Sequence, residues 1–264
     1  MKYKMVFSYN GRDFNGYQIQ DGVRTVQEDI ETLLHSLFQE NIRIYSSGRT
    51  DRGVHAINQV ASFKTVKYFE PNKLKYVMNR LLTKDIHIKS IEEVDDSFHA
   101  RFSACGKKYV YKMAEGENDP LLNDFCYFYE GKPLDIESMK KACSLFIGRH
   151  NFMNFCSNKD EESYEETIYK LEMKQDGKFI TFTFIGSGFK RYMVRIIVGT
   201  ILAVGKKRFT LEQIEEKLNS KIHQNVSFKV PPEGLYLEKV YYEGEELIWW
   251  EIITILILIA VVMQ

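Results

Sequence analysis

Hydrophobic and polar positions alternate along the first segment, with Tyr3, Met5, Phe7 and Tyr9 on one face, the period of a half-buried strand. A loop rich in Gly and Asn follows. Beyond it Thr25 stands three residues before Glu28, the spacing of a capping box, and Val26, Ile30, Leu33, Leu34, Leu37 and Phe38 fall at helical spacing behind it. The pattern then predicts a short strand over Arg43 to Ser46, a tight loop from Gly48 to Gly53 and a strand from Ala56 to Phe63. Pro71 opens a helix through Leu82, and Ile86, Ile88 and Ile91 mark a strand after it.

A second series repeats the same kinds of element. Lys107 to Met113 alternates with Tyr109, Tyr111 and Met113 on one side, and Asp135 caps a helix that buries Met139, Cys143 and Phe146 and stops at Gly148. Asp176 and Gly177 between two β-like runs, Ile168 to Gln175 and Lys178 to Ile185, signal a hairpin. Arg191 to Val204 reads as an apolar helix ended by Gly205, and Thr210 with Gln213 caps another. Strands and helices mix without strict alternation, which predicts an α+β fold with a largely antiparallel sheet. The expected division is an N-terminal α+β subdomain over residues 1–104, a C-terminal α+β subdomain over 105–246, and an apolar extension over 247–264.

Composition narrows the class of protein. A chain of 264 residues with 44% hydrophobic and 27% charged residues can bury a core, which excludes disordered and collagen-like classes. The 36 basic and 36 acidic residues balance, so a polyanionic partner must be held by local basic clusters. Cys105, Cys126, Cys143 and Cys156 stand in no metal-like spacing and follow no signal peptide, so reduced thiols in a cytoplasmic protein are expected. The run Ile252 to Met263 is apolar except for Thr254. It is short for a spanning helix, which wants roughly 20 apolar residues, and membrane contact through it is the less favoured reading of a noncatalytic extension.

Candidate chemistry concentrates in SSGRTDRGVH, Ser46 to His55. Asp51 lies between Gly48 and Gly53, which let backbone turn sharply, with Arg49 and Arg52 on either side. A carboxylate between two cations favours its ionised form and can serve as nucleophile, base or half of a structural ion pair. Asp51 with His55 makes an incomplete metal site, and no phosphate loop or dinucleotide fingerprint is present, so neither metal nor cofactor is expected. Two stretches are basic without an acid: Arg101, Lys107, Lys108 and Lys112 in the first, and Lys190, Arg191, Arg195, Lys206, Lys207 and Arg208 in the second. Phe98, Phe102, Tyr109, Tyr111, Phe189 and Tyr192 interleave with them, the pairing of phosphate contact and stacking surface that RNA requires, although Tyr111 reads better as core. Asp160, Glu161, Glu162, Glu165 and Glu166 form an acidic loop that RNA should avoid.

GRTDRGVH at 48–55, SFHARFSA at 97–104, KKYVYKM at 107–113, YMVRIIVG at 192–199 and EGLYL at 233–237 resemble, in order, the motifs of the bacterial TruA family of tRNA pseudouridine synthases. YNGRDFNGYQIQ at 9–20 fits as well. The resemblance implies two similar α+β subdomains with joined, largely antiparallel sheets flanked by helices, a catalytic cleft between them, and a homodimer that binds tRNA. It implies isomerisation of uridine to pseudouridine at positions 38, 39 and 40 of the anticodon arm, without a cofactor. The essential aspartate falls on Asp51, acting on the sugar or base or stabilising a ribose intermediate; the base-stacking tyrosine falls on Tyr109, and the arginine that keeps the aspartate ionised on Arg195. Arg49 would help hold the flipped nucleotide, and Arg52, Arg101, Lys107, Lys108, Lys190 and Arg191 are candidate RNA contacts. Tyr17 stands where tryptophan is frequent, Arg52 where alanine or lysine is usual, and Ile196 where asparagine is common. The alternatives are a noncatalytic tRNA-binding or chaperone protein, a pseudouridine synthase acting at another RNA site, and, more remotely, a metal-dependent RNA hydrolase using Asp51 and His55.

Overall fold

The computed structural model describes residues 1–157 and 163–244. In chain order the elements are β1 (Lys2–Tyr9), α1 (Val26–Phe38), β2 (Tyr45–Ser46), β3 (His55–Lys64), α2 (Pro71–Leu81), β4 (Ile86–Glu93), β5 (Ala104–Glu115), β6 (Tyr127–Tyr129), α3 (Ile136–Leu145), β7 (Gly148–Asn151), β8 (Glu165–Asp176), β9 (Phe179–Gly186), α4 (Met193–Gly205), α5 (Leu211–Asn219) and β10 (Leu235–Tyr242). The fold is α+β, as the mixed pattern predicts. The apolar extension at 247–264 and the acidic residues Asp160, Glu161 and Glu162 lie outside the described residues.

Among the described residues the chain forms two compact units, one from Met1–Cys105 with Tyr236–Glu243 and the other from Gly106–Leu235 with Gly244. In the first, β1 pairs antiparallel with β3 on one side and β4 on the other. The alternation seen in sequence is a burial pattern: Tyr3, Met5 and Phe7 are wholly buried, and Tyr3 stacks on Phe63 at 5.3 Å between ring centroids. Val26, Ile30, Leu34 and Phe38 of α1 and Leu74 and Met78 of α2 add their apolar faces to this core. Burying a side chain of this size stabilises by roughly 1.5–3 kcal/mol. The first unit also takes a strand from the far end of the chain. β10 runs parallel to β3 with Tyr236 opposite His55 and Leu237 opposite Ala56, a long-range pairing that local periodicity does not announce.

In the second unit β5, β9, β8 and β7 pair antiparallel in that order. A two-residue turn joins β8 to β9, with Gly177 at φ 56 supplying the left-handed conformation such turns need. All of α4 is buried, and Gly205, expected as a stop, is its last helical residue. A Cβ there would stand 2.5 Å from the Met139 sulfur of α3, so the glycine serves close helix packing.

The helix caps divide. Asp135 and Thr210 accept from the backbone N–H groups of Ser138 and Gln213, and Thr210 completes a capping box. At α1 the box predicted from Thr25 and Glu28 does not form: Thr25 occupies the cap position, but its side chain makes no capping bond. Its buried hydroxyl finds no hydrogen-bond partner among the described residues. Thr25→Val should therefore be neutral or stabilising in thermal unfolding, whereas Thr210→Val should cost about 1 kcal/mol. Equal losses would show that the two hydroxyls contribute alike.

Candidate active site

The loop that carries Asp51 leaves β2 at Ser46 and returns to β3 at His55, and the antiparallel pairing of Tyr45 with Ser62 and Ser46 with Ala61 sets its base. Ser47 closes one end. Its N–H donates to the Val60 carbonyl at 2.8 Å and its hydroxyl to Gln59 Oε1 at 2.8 Å. The amide of Gln59 then donates through Nε2 to the Gly48 carbonyl at 2.8 Å. Thr50 is tied twice, its hydroxyl sharing a 2.8 Å hydrogen bond with the Tyr9 phenol and its carbonyl accepting the Tyr17 N–H at 3.0 Å. Burial pushes the Tyr9 phenol up to about 12, which keeps it protonated.

Glycines let neighbouring backbone reach the loop. A Cβ on Gly11 would lie 2.0 Å from the Val54 carbonyl oxygen, and one on Gly16, whose φ is +98, 3.1 Å from that of Thr50. Asp51 is left half-buried between the exposed Arg49 and Arg52, and its carbonyl accepts the Val54 N–H at 3.2 Å. His55 belongs to the brace. Its Nδ1 accepts the Gly11 N–H at 3.1 Å and its ring stacks on Tyr236 at 4.8 Å, so the neutral imidazole carries its proton on Nε2. Among the described residues no group of three or more His, Cys, Asp or Glu side chains is placed to hold a metal ion.

In the second unit Tyr109 sits on β5 opposite Phe184, 8% exposed, with its ring edge-on to Phe189 at 5.2 Å. Tyr111, two residues on, is core: its hydroxyl donates to the Pro231 carbonyl at 2.9 Å. Lys107 and Lys108 are half-buried at the start of the same strand.

Arg195 is the one charge in the α4 sequence. A buried cation in the first turn of a helix opposes both desolvation and the helix dipole, so the position demands polar compensation. Part of it is visible: Nε donates to the Val230 carbonyl at 2.9 Å, and the Val230 N–H donates back to the Arg195 carbonyl at 3.2 Å. Burial raises the Glu233 carboxyl, and the Arg195 charge acts against that rise. Tyr192, ahead of the helix, is held left-handed at φ 61, a conformation a bulky residue rarely adopts. Its ring lies 4.9 Å from the Arg191 guanidinium, 5.2 Å from that of Arg195 and 4.1 Å from the Lys229 ammonium.

The other basic candidates differ in circumstance. Arg101 and Arg191 are exposed, whereas Lys190 is held 3.4 Å from Glu166, whose second oxygen accepts the Ser187 hydroxyl at 2.9 Å. The acidic-loop expectation is thereby corrected for two members: Glu165 and Glu166 open β8, and each has a cationic partner, Arg149 and Lys190. Sequence reasoning did not single out Ser47, Gln59, Thr50 or Glu233. Gln59 carried no distinguishing signal, since β3 also contains His55, Asn58, Ser62 and Lys64.

Sequence comparisons agree with the motifs. The profile of a family described as tRNA pseudouridine synthase matches residues 5–103 and 142–243, which include Asp51 and Arg195; Tyr109 falls in the interval between. The chain is 46% identical to a tRNA pseudouridine synthase A of Geobacillus sp. (strain WCH70), over 91% of this chain and 98% of that one. It is 40% identical to the protein of that name from Staphylococcus aureus (strain MRSA252), over 94% of each chain. The corresponding Staphylococcus carnosus (strain TM300) protein is 41% identical over 94% of this chain and 93% of its own.

Gly11→Ala, which drives a Cβ into the Val54 carbonyl, should cost about 2 kcal/mol or more in thermal unfolding and speed hydrogen exchange across residues 48–54. Unchanged exchange there would show that the loop does not lean on this contact. For Glu233 the raised folded-state pKa means that stability is whole below the ordinary glutamate value of 4.5 and declines as pH rises through the folded value. Glu233→Gln should accordingly gain on the natural chain in urea unfolding between about pH 4 and pH 7. A difference that stays flat across that window would mean that Arg195 compensates the carboxylate fully.

Proposed function

The chain belongs to the tRNA pseudouridine synthase family, and from that premise we propose that it converts uridine to pseudouridine at positions 38, 39 and 40 of the tRNA anticodon stem-loop, with Asp51 as its central catalytic group. The observation that carries this reading is Asp51 itself: a half-buried carboxylate between two exposed arginines, on a loop tied down at Ser47, Gly48 and Thr50. A braced loop of this kind suits a reacting group that must be held within a fraction of an ångström.

The reaction breaks the bond from the ribose C1′ to N1 of uracil and makes one from C1′ to C5. The proton lost from C5 is matched by one gained at N1, so the nucleotide keeps its composition and needs no donor or redox partner. A stacked base shields both ring positions, so the nucleotide must leave the stack, at a cost on the order of a few kcal/mol. Arg49 and Arg52 flank the place where Asp51 would meet it and can hold the phosphates of the extruded nucleotide. Asp51 either attacks the sugar or base, or stabilises a ribose cation after the glycosidic bond breaks, and both routes use its ionised form. Tyr109 offers a ring for stacking on the target base, and Arg195 a fixed positive charge that favours an ionised carboxylate. Arg101, Lys107, Lys108 and Arg191 are assigned to the RNA backbone; Lys190, already paired with Glu166, would reach it only as part of that pair.

The protein is proposed to work in the cytoplasm as a homodimer. Among the described residues no helix is long and apolar enough to cross a membrane.

Pseudouridine mapping on unmodified tRNA transcripts tests the reading, with the natural chain, Asp51→Asn and Arg195→Ala. Asp51→Asn should abolish product while leaving tRNA affinity within about tenfold, the signature of an interaction made only in the transition state. Arg195→Ala should also lose activity. Product at other uridines would keep the chemistry and overturn the substrate positions, and binding without product on any tRNA would favour a chaperone.

A further inference from the structure

Beside the catalytic loop, the first unit carries a strip of three rings on its surface. Tyr45 of β2, His99 and Phe102 follow one another at centroid separations of 5.5 and 4.4 Å. An arginine stands at each end, with Arg43 at 5.9 Å from the Tyr45 ring and Arg101 at 5.8 Å from the Phe102 ring. Tyr45 is 49% exposed and Phe102 77%, so about half of the first side chain and most of the second lie at the surface.

The strip rests on a rigid base. Ala100 is wholly buried, its N–H donating to the Ser62 hydroxyl at 3.3 Å and its carbonyl accepting the Tyr242 hydroxyl at 2.8 Å. Ser62 is also the register partner of Tyr45, so one residue of β3 fixes both ends of the strip. His99 is locked in the middle: its Nδ1 accepts the Arg101 and Phe102 N–H groups at 3.1 and 3.4 Å, and its own N–H donates to the Ser103 hydroxyl at 3.0 Å. Burial and the neighbouring Lys2 and Arg101 charges lower its pKa, which favours a neutral, stackable ring. The nearby acid Asp96 is occupied by Lys64 at 3.0 Å.

Surface rings on a braced stretch of backbone, with a guanidinium at each end, match one kind of ligand: unstacked nucleobases joined by phosphates. We propose that Tyr45, His99 and Phe102 form a stacking platform for a single-stranded stretch of the substrate RNA, with Arg43 and Arg101 on the flanking phosphates. Stacking on such rings is tolerant of base identity, and fixed rings lose little freedom on binding. The platform rests on the tRNA-modifying function proposed above, for which it would be a positioning device outside the reacting atoms.

The test measures affinity for unmodified tRNA and the rate of pseudouridine formation with the full chain, for Phe102→Ala, Phe102→Leu, Phe102→Trp and Tyr45→Ala. Phe102→Ala and Phe102→Leu should each weaken binding and raise KM roughly tenfold with kcat nearly unchanged. Phe102→Trp should restore both, which a merely structural role for an exposed side chain would not produce. Natural affinity in both Phe102→Ala and Tyr45→Ala would overturn the platform, as would equal rescue by leucine and tryptophan. A change in oligomeric state on light scattering without a change in RNA affinity would assign the strip to a contact between copies and overturn it too. Failure of the natural chain to form pseudouridine would instead count against the proposed function, and tRNA binding by the Phe102 variants would still decide the platform.

Discussion

The loop bearing Asp51 depends on a small set of buried polar bonds: Tyr9 with Thr50, Ser47 with Gln59, and Gln59 with the Gly48 carbonyl. Such bonds contribute modestly when made, but leaving a buried member unpaired costs about 1–3 kcal/mol. The arrangement is therefore close to all-or-none. Tyr9 is the last residue of β1 and Gln59 lies within its neighbour β3, so the loop is tied to both strands. Gly11 and Gly16 complete the device by removing the side chains that would hold the adjoining backbone away.

Charge is handled locally in a chain whose totals cancel. Glu165 and Glu166 each take up a cation at the start of β8, which removes Arg149 and Lys190 from the pool of uncompensated charge. Three cations instead converge on the single ring of Tyr192. Local clustering of this kind sets the field at each surface although the total charge is zero.

Much of this was legible from the residues. Period-two alternation located β1 and β5, the Asp176–Gly177 pair located the hairpin, and the apolar run after Arg191 located α4, because each depends on neighbours in sequence. The motif at 48–55 identified the loop and its aspartate. What escaped was nonlocal. β10 pairs with β3 across most of the chain, so EGLYL read as a motif and not as the start of a strand. The partners of Thr50 and Gln59 are likewise fixed only by the sheet. Thr25 shows the opposite failure, a correct local signature whose hydroxyl is turned to no capping use once the residue is buried.

Tyr192 sets a limit on how this protein could be improved. Its left-handed backbone suits glycine, and relieving such strain in a bulky residue is worth roughly 1 kcal/mol, so selection for stability alone would remove the tyrosine. The same replacement would delete the ring on which Arg191, Arg195 and Lys229 converge. A thermostabilised descendant that keeps tyrosine there would have traded away an easy gain for the ring that gathers three cations.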